Sequence, residues 1–216
     1  MSISQMIRKQ IQEILPGEPF AASNFLSLGS RAAVDQELYR LARQGAIQRV
    51  ARGVYAKPEV SSLFGEVPVA PVKIVTARVQ STGGQVQVSG AEAANRLGLS
   101  TQVPMQTVLL TSGYTRTITV GERSVRLQHA GRRAMVGAST KAGPVVSALY
   151  YLGKSAIGER EVQILKERLS PEELESVCQV LPHVPAWMSN VLRRVAACES
   201  DSHRLMASKL PQRVRL

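Results

Sequence analysis

Aspartate is nearly missing from this sequence. Among 216 residues only Asp35 and Asp201 are Asp, against 14 Glu. Most metal-dependent nucleases and nucleotidyltransferases hold Mg²⁺ between clustered carboxylates. Two aspartates so far apart argue against an enzyme of that class, and no resident metal or cofactor is expected. Cysteine is equally scarce. Cys178 and Cys198 are too few for a zinc site or a disulfide framework. The expectation is two small, buried thiols in a reducing cytoplasm. No apolar run nears the ~18 residues of a membrane span. Residues 1–15 carry Arg8, Lys9 and Glu13 within an amphipathic pattern and lack the apolar stretch of a signal peptide. A soluble bacterial protein without a membrane partner is expected, cytoplasmic and nucleoid-associated when bound. Aromatics are few, with 3 Phe, 1 Trp and 5 Tyr, which limits the stacking platforms that single-stranded RNA needs. His129, His183 and His203 share no metal or catalytic spacing.

What the chain has in excess is positive charge. Lys and Arg total 27 against 16 Asp and Glu, a formal charge of +11. With 44% hydrophobic and 20% charged residues it is composed to fold. The length suits one ordinary domain and a small one. Such a balance calls for a polyanion, of which nucleic acid is the commonest. Arg outnumbers Lys 20 to 7, favouring planar, bidentate contacts to phosphate or base edges.

Met6, Ile7, Ile11, Ile14 and Leu15 recur at helical spacing, predicting a helix over 4–15 closed by Pro16-Gly17. A short helix is expected over 23–28, with Ser23 as its cap. A third follows over 30–44, capped by Ser30, with Val34, Leu38 and Leu41 inward and Gly45 at its end. Two β-rich stretches, 47–50 and 54–56, joined by Ala51-Arg52-Gly53, read as a hairpin. Three helices and a hairpin in under 60 residues are the layout of a winged helix-turn-helix. Six Pro, Ser or Gly residues between 57 and 71 suggest a linker. Beyond it the expectation is helix 72–80, strand 85–89, helix 91–97, strands 108–111, 116–120 and 124–128 as a small antiparallel sheet, and then helices over 144–152, 159–169, 171–181 and 187–197. The fold class is therefore α+β. A winged helix (1–58) and a linker (59–70) precede a mixed α/β domain with a helical C-terminus (71–200) and a basic tail (201–216).

The charge is unevenly spread. No acid lies between Glu37 and Glu59, where Arg40, Arg43, Arg49, Arg52 and Lys57 fall. A second acid-free run, between Glu122 and Glu159, holds Arg123, Arg126, Arg132, Arg133, Lys141 and Lys154. With Arg116 these arginines form a possible second basic surface. A recognition helix reads bases mainly with its N-terminal residues. Ser30, Arg31, Ala32, Asp35 and Gln36 are thus the candidates for direct readout, Arg31 toward guanine and Gln36 toward adenine. Tyr39, Arg40 and Arg43 are expected at phosphates, and Arg49, Arg52, Tyr55 and Lys57 in the hairpin at backbone or minor groove. Core packing is an equal reading for Tyr39 and Tyr55.

The run Phe25-Leu26, Leu28-Gly29-Ser30-Arg31-Ala32-Ala33-Val34, Leu38, Leu41, Gly45, Ile47, Arg49 and Ala51-Arg52-Gly53-Val54-Tyr55 resembles the N-terminal winged helix of AbiEi-type antitoxins. These belong to abortive-infection type IV toxin–antitoxin systems and have plasmid- and island-borne relatives. Ser89-Gly90-Ala91, Ala94-Asn95, Leu97–Pro104, Leu109-Leu110-Thr111 and Arg116 are similar to the domain that follows it there. The likeness spans roughly residues 1–155. It implies an autorepressor that binds double-stranded promoter repeats, self-associating on DNA, whose C-terminal part assembles the protein or counters a nucleotidyltransferase-type toxin. The alternative is a protein-interaction antitoxin in which DNA binding is secondary.

Two motifs resemble catalytic signatures and fail. Leu28–Ala32 with Asp35 and Glu37 echoes a nucleotidyltransferase turn. The two acids, however, sit at i and i+2 of one helix and point to different faces. Residues 131–141 hold the ingredients of a phosphate loop without the contiguous Gly-Lys-Ser/Thr that cradles phosphate.

Overall fold

The computed structural model describes residues 2–63 and 65–196; the basic tail expected over 201–216 and Cys198 lie outside the described residues. The fold is mixed α+β, with eight α-helices and three small sheets among the described residues. The chain divides into two compact units. One comprises the residues up to Gln87 together with Pro104–Gly131, the other Val88–Val103 and the described residues from Arg132 onward.

The first unit opens with α1 (Ile3–Glu13), which begins one residue earlier than hydrophobic spacing suggests. Ser2 and Gln5 form a capping box: the Gln5 backbone N–H donates to Ser2 Oγ at 3.2 Å, and the Ser2 N–H donates to Gln5 Oε1 at 2.9 Å. Strand β1 (Pro19–Ala21) follows and is not legible from sequence. Three residues give no alternation to read, and Pro19 is tolerated only because it starts an edge strand. The helix expected over 23–28 is a single 3₁₀ turn, Ala22–Phe25, and Ser23 does not cap it. Its bonds run from Leu26 N–H to Ser23 O and from Leu28 N–H to Phe25 O. Gly29 and the Ser30 cap stop it before an α-turn can propagate. Helix α2 (Arg31–Arg43) then starts where expected, with Ser30 Oγ accepting from Ala33 N–H at 3.3 Å. Gly45 ends it at φ +72°, a left-handed turn that glycine adopts without steric cost.

Strands β2 (Gln48–Ala51) and β3 (Val54–Ala56) form the expected hairpin, turning at Gly53 with φ +74°. Because β1 pairs with the other edge of β3, the sheet order is β1-β3-β2 and all three residues of β3 are buried. Ile7, Ile11, Phe20, Phe25, Val34, Leu38, Leu41 and Ile47 form one apolar core with Tyr55. Each such side chain contributes roughly 1.5–3 kcal/mol by leaving water. Phe20 anchors the centre, meeting Phe25 edge-on at 5.6 Å and stacking on Tyr55 at 6.3 Å.

Residues 59–70, expected as a linker, contain an antiparallel hairpin, β4 (Glu59–Ser61) and β5 (Gly65–Val67). The prolines that suggested a linker, Pro58 and Pro68, flank the ladder rather than interrupt it. Helix α3 (Pro71–Gln80) has Pro at its start, where the missing N–H costs nothing. It packs Val75 and Val79 on Val86, Leu109, Val125 and Leu127 of a four-stranded sheet. That sheet contains β6 (Val86–Val88), β7 (Val108–Thr111), β8 (Arg116–Val120) and β9 (Arg123–His129) in the order β6-β7-β9-β8. It is not the purely antiparallel sheet expected. The Gly121-Glu122 turn makes β8 antiparallel to β9, but β7 lies on the other side of β9 and runs parallel to it.

The second unit is helical: α4 (Gly90–Arg96), α5 (Gly143–Leu152), α6 (Glu159–Arg168), α7 (Pro171–Val180) and α8 (Ala186–Ala196). Val145, Val146, Leu149, Val162, Leu165, Val177, Met188 and Leu192 make its core. Cys178 on α7 is half-buried and disulfide-bonded, which corrects the expectation of a free buried thiol.

Candidate nucleic-acid interface

The apolar spacing of α2 turns Val34, Leu38 and Leu41 inward and leaves the opposite face in solvent. Ser30, Arg31, Ala32, Gln36, Tyr39, Arg40 and Arg43 are all exposed, and Asp35 is half-exposed. Tyr39 retains 60% of its accessible surface, which removes core packing as its role. The structure therefore gathers all eight α2 candidates on one accessible helix. Two of its three arginines are engaged within the protein. Arg31 Nε donates to Asp35 Oδ2 at 2.8 Å, and Arg40 Nη1 stands 3.7 Å from Glu37 Oε2. Glu37 is buried at 2% exposure, and its other oxygen accepts from Arg8 Nε at 2.8 Å. Among the described residues Arg43 makes no ion pair.

The hairpin candidates separate into two kinds. Arg49 on β2 and Arg52 at the β2–β3 turn are exposed and, among the described residues, make no ion pair. Tyr55 and Lys57 serve the fold instead. Tyr55 lies on the central strand, stacked on Phe20, and has no face to offer a ligand. Lys57 Nζ donates to the carbonyls of Gln12 at 3.2 Å and Ile14 at 2.8 Å, satisfying the C-terminal end of α1. A missed strand explains Tyr55 and a missed cap explains Lys57. Neither is visible in charge counting.

Sequence reasoning also missed Arg78. It is exposed near the end of α3 and borders a cleft of ≈ 180 Å³ that Arg52 and Gly121 also line. The floor is apolar (Ile74, Val75 and Ile118), and none of the lining residues is a carboxylate. Two guanidinium groups at the rim of an acid-free cleft suit an anion such as a phosphodiester. The available signal was the absence of acids between Glu66 and Glu92. Lys73 in the same stretch is taken by Glu18 at 2.7 Å.

Within the first unit the arginines of the second basic surface divide between the two faces of the sheet. On β9, Val125 and Leu127 face α3, so the alternating Arg126 points to the opposite side, across from Thr117. Arg116 stands opposite Leu127, and Arg123 shares the parity of Val125, which puts both on the α3 side. Arg132 and Arg133 belong to the other unit. There Arg133 lies near Tyr150, whose hydroxyl is pushed above its ordinary range by burial, partly offset by the Arg133 charge.

Among the described residues no group of three or more His, Cys, Asp or Glu is placed to hold a metal ion, and no helix is long and apolar enough to cross a membrane. No curated protein matches the chain. Residues 6–177 match a family of unknown function, and the protein belongs to that family, DUF6088.

Proposed function

We propose that this protein is a sequence-specific double-stranded DNA-binding regulator whose N-terminal part is a winged helix-turn-helix. In this reading α2 is the recognition helix, the preceding 3₁₀ turn stands for the first helix of the motif, and the β2–β3 hairpin is the wing. The observation that carries it is the pairing of a capped helix whose outer side faces solvent with a hairpin that presents Arg49 and Arg52, which make no ion pair among the described residues. The element order α1, β1, 3₁₀ turn, α2, β2, β3 supports it further, as does the acid-free run from Glu37 to Glu59. Arg43, Arg49, Arg52 and Arg78 contact phosphates, so affinity falls steeply with salt. Regulation acts by occluding a promoter. The resemblance to AbiEi-type antitoxins makes that promoter the protein's own and assigns toxin contact to the C-terminal part.

Selection of bound duplexes from a random pool tests the reading. Enrichment of a motif, arranged as direct or inverted repeats, is the expected result. A pool that stays random at moderate salt would overturn it.

A further inference from the structure

Asp35 is the one acid on the exposed part of α2, five residues from its cap, where a negative charge opposes binding to a polyanion. Its partner Arg31 is the first residue of the helix. The bond between them uses Nε of the guanidinium and Oδ2 of the carboxylate at 2.8 Å. Nε carries one of the five N–H donors of arginine, so the four on Nη1 and Nη2 are not consumed by this contact. A guanidinium tied at its inner nitrogen loses rotational freedom about its long stem while its outer edge stays available. That outer edge, two parallel N–H donors, matches the O6 and N7 acceptors of guanine in the major groove.

We infer that Asp35 is a positioning residue for base readout: it holds Arg31 so that the Nη1/Nη2 edge meets a guanine, and does not itself contact a base. The inference rests on the proposed DNA-binding reading. Ordering Arg31 before binding removes part of the entropy that a free arginine loses on docking. The carboxylate also opposes placement against phosphate, so Arg31 is committed to the groove.

The full chain is compared with Asp35→Ala, Asp35→Glu, Arg31→Ala and the Arg31→Ala/Asp35→Ala pair by selection from a random duplex pool. Titration against the selected duplex and its single-base variants then follows, with thermal melts confirming that each variant folds. Wild type is expected to select a guanine whose preference vanishes in Arg31→Ala. Asp35→Ala should lower that preference about tenfold or more while binding random-sequence DNA at least as tightly as wild type. Asp35→Glu should keep the preference, and the double variant should lose no more of it than Arg31→Ala alone. A guanine preference unchanged in Asp35→Ala overturns the inference and leaves the DNA-binding reading standing. Loss of preference at a different base pair also overturns it, by making Asp35 a reader in its own right. A wild-type pool without any motif overturns the DNA-binding reading and this inference with it.

Discussion

Arg8 Nε donates to Glu37 Oε1 at 2.8 Å, joining α1 to α2 through a carboxylate that is 2% exposed. Arg8 itself is about half exposed, at 47%. The pair therefore has one end in the protein and one in water. Removing Arg8 leaves Glu37, among the described residues, with the more distant Arg40, 3.7 Å away. A buried carboxylate without a close partner is costly, though solvent near Arg8 softens the loss. Arg8→Ala should therefore lower unfolding free energy by about 1–3 kcal/mol. Glu37→Gln, which keeps an acceptor without the charge, should cost less. Urea unfolding of the two variants decides this, and equal stability in Arg8→Ala and wild type would show that the link contributes nothing.

The two tyrosines that sequence could not separate should now behave oppositely. Tyr55 is 9% exposed and Tyr39 60%. Tyr55→Ala removes a core aromatic and should destabilise by about 3–5 kcal/mol, in the range of large aromatic truncations. Tyr39→Ala should change stability by less than about 0.5 kcal/mol, as surface substitutions do, and weaken duplex binding. Thermal melts alongside DNA titrations separate the two effects. A Tyr39→Ala protein that binds DNA like wild type would remove Tyr39 from the interface.

Salt dependence distinguishes arginines that meet phosphate from a lysine that caps a helix. Arg52→Ala and Arg78→Ala should each reduce the slope of log affinity against log salt by about one, with no preference among sequences. Lys57→Met should leave the slope unchanged. It should instead lower stability by about 1 kcal/mol, because its bonds go to the Gln12 and Ile14 carbonyls. A slope that falls in Lys57→Met would return this residue to the interface.

The contrast between Arg52 and Tyr55 shows what the sequence could reveal. Helices with long apolar periods were legible: α2 has Ser30 at one end and Gly45 at the other, and four of its thirteen residues are buried. The face opposite that stripe, and hence most of the candidate interface, followed from the same periodicity. What was hidden depends on contacts between distant segments. Strand β1 is too short to show alternation, yet it makes β3 central and so buries Tyr55. Lys57 reaches carbonyls 43 and 45 positions away, and Arg78 joins Arg52 only once α3 is folded beside the β2–β3 turn. The parallel pairing of β7 with β9 likewise depends on which side of β9 is open, a matter of topology and not of local pattern.

Gly90 offers a test of packing in the helical unit. It is the first residue of α4, and a Cβ built there would lie 2.7 Å from the Ser147 carbonyl oxygen and against the Tyr151 side chain, both on α5. No rotamer relieves a clash with backbone, so α4 would have to move away from α5. That shift would open the contact among Ala93, Ala94 and Ala148, which are fully buried. Small residues on both helices let them approach this closely, and the added methyl is therefore expected to cost more than its own volume suggests. Gly90→Ala should destabilise by about 1–3 kcal/mol, the usual range for overpacking, even though alanine is the better helix former at an exposed site. A chemical denaturation curve for Gly90→Ala superimposing on that of wild type would mean that the α4–α5 contact is loose enough to admit a methyl group.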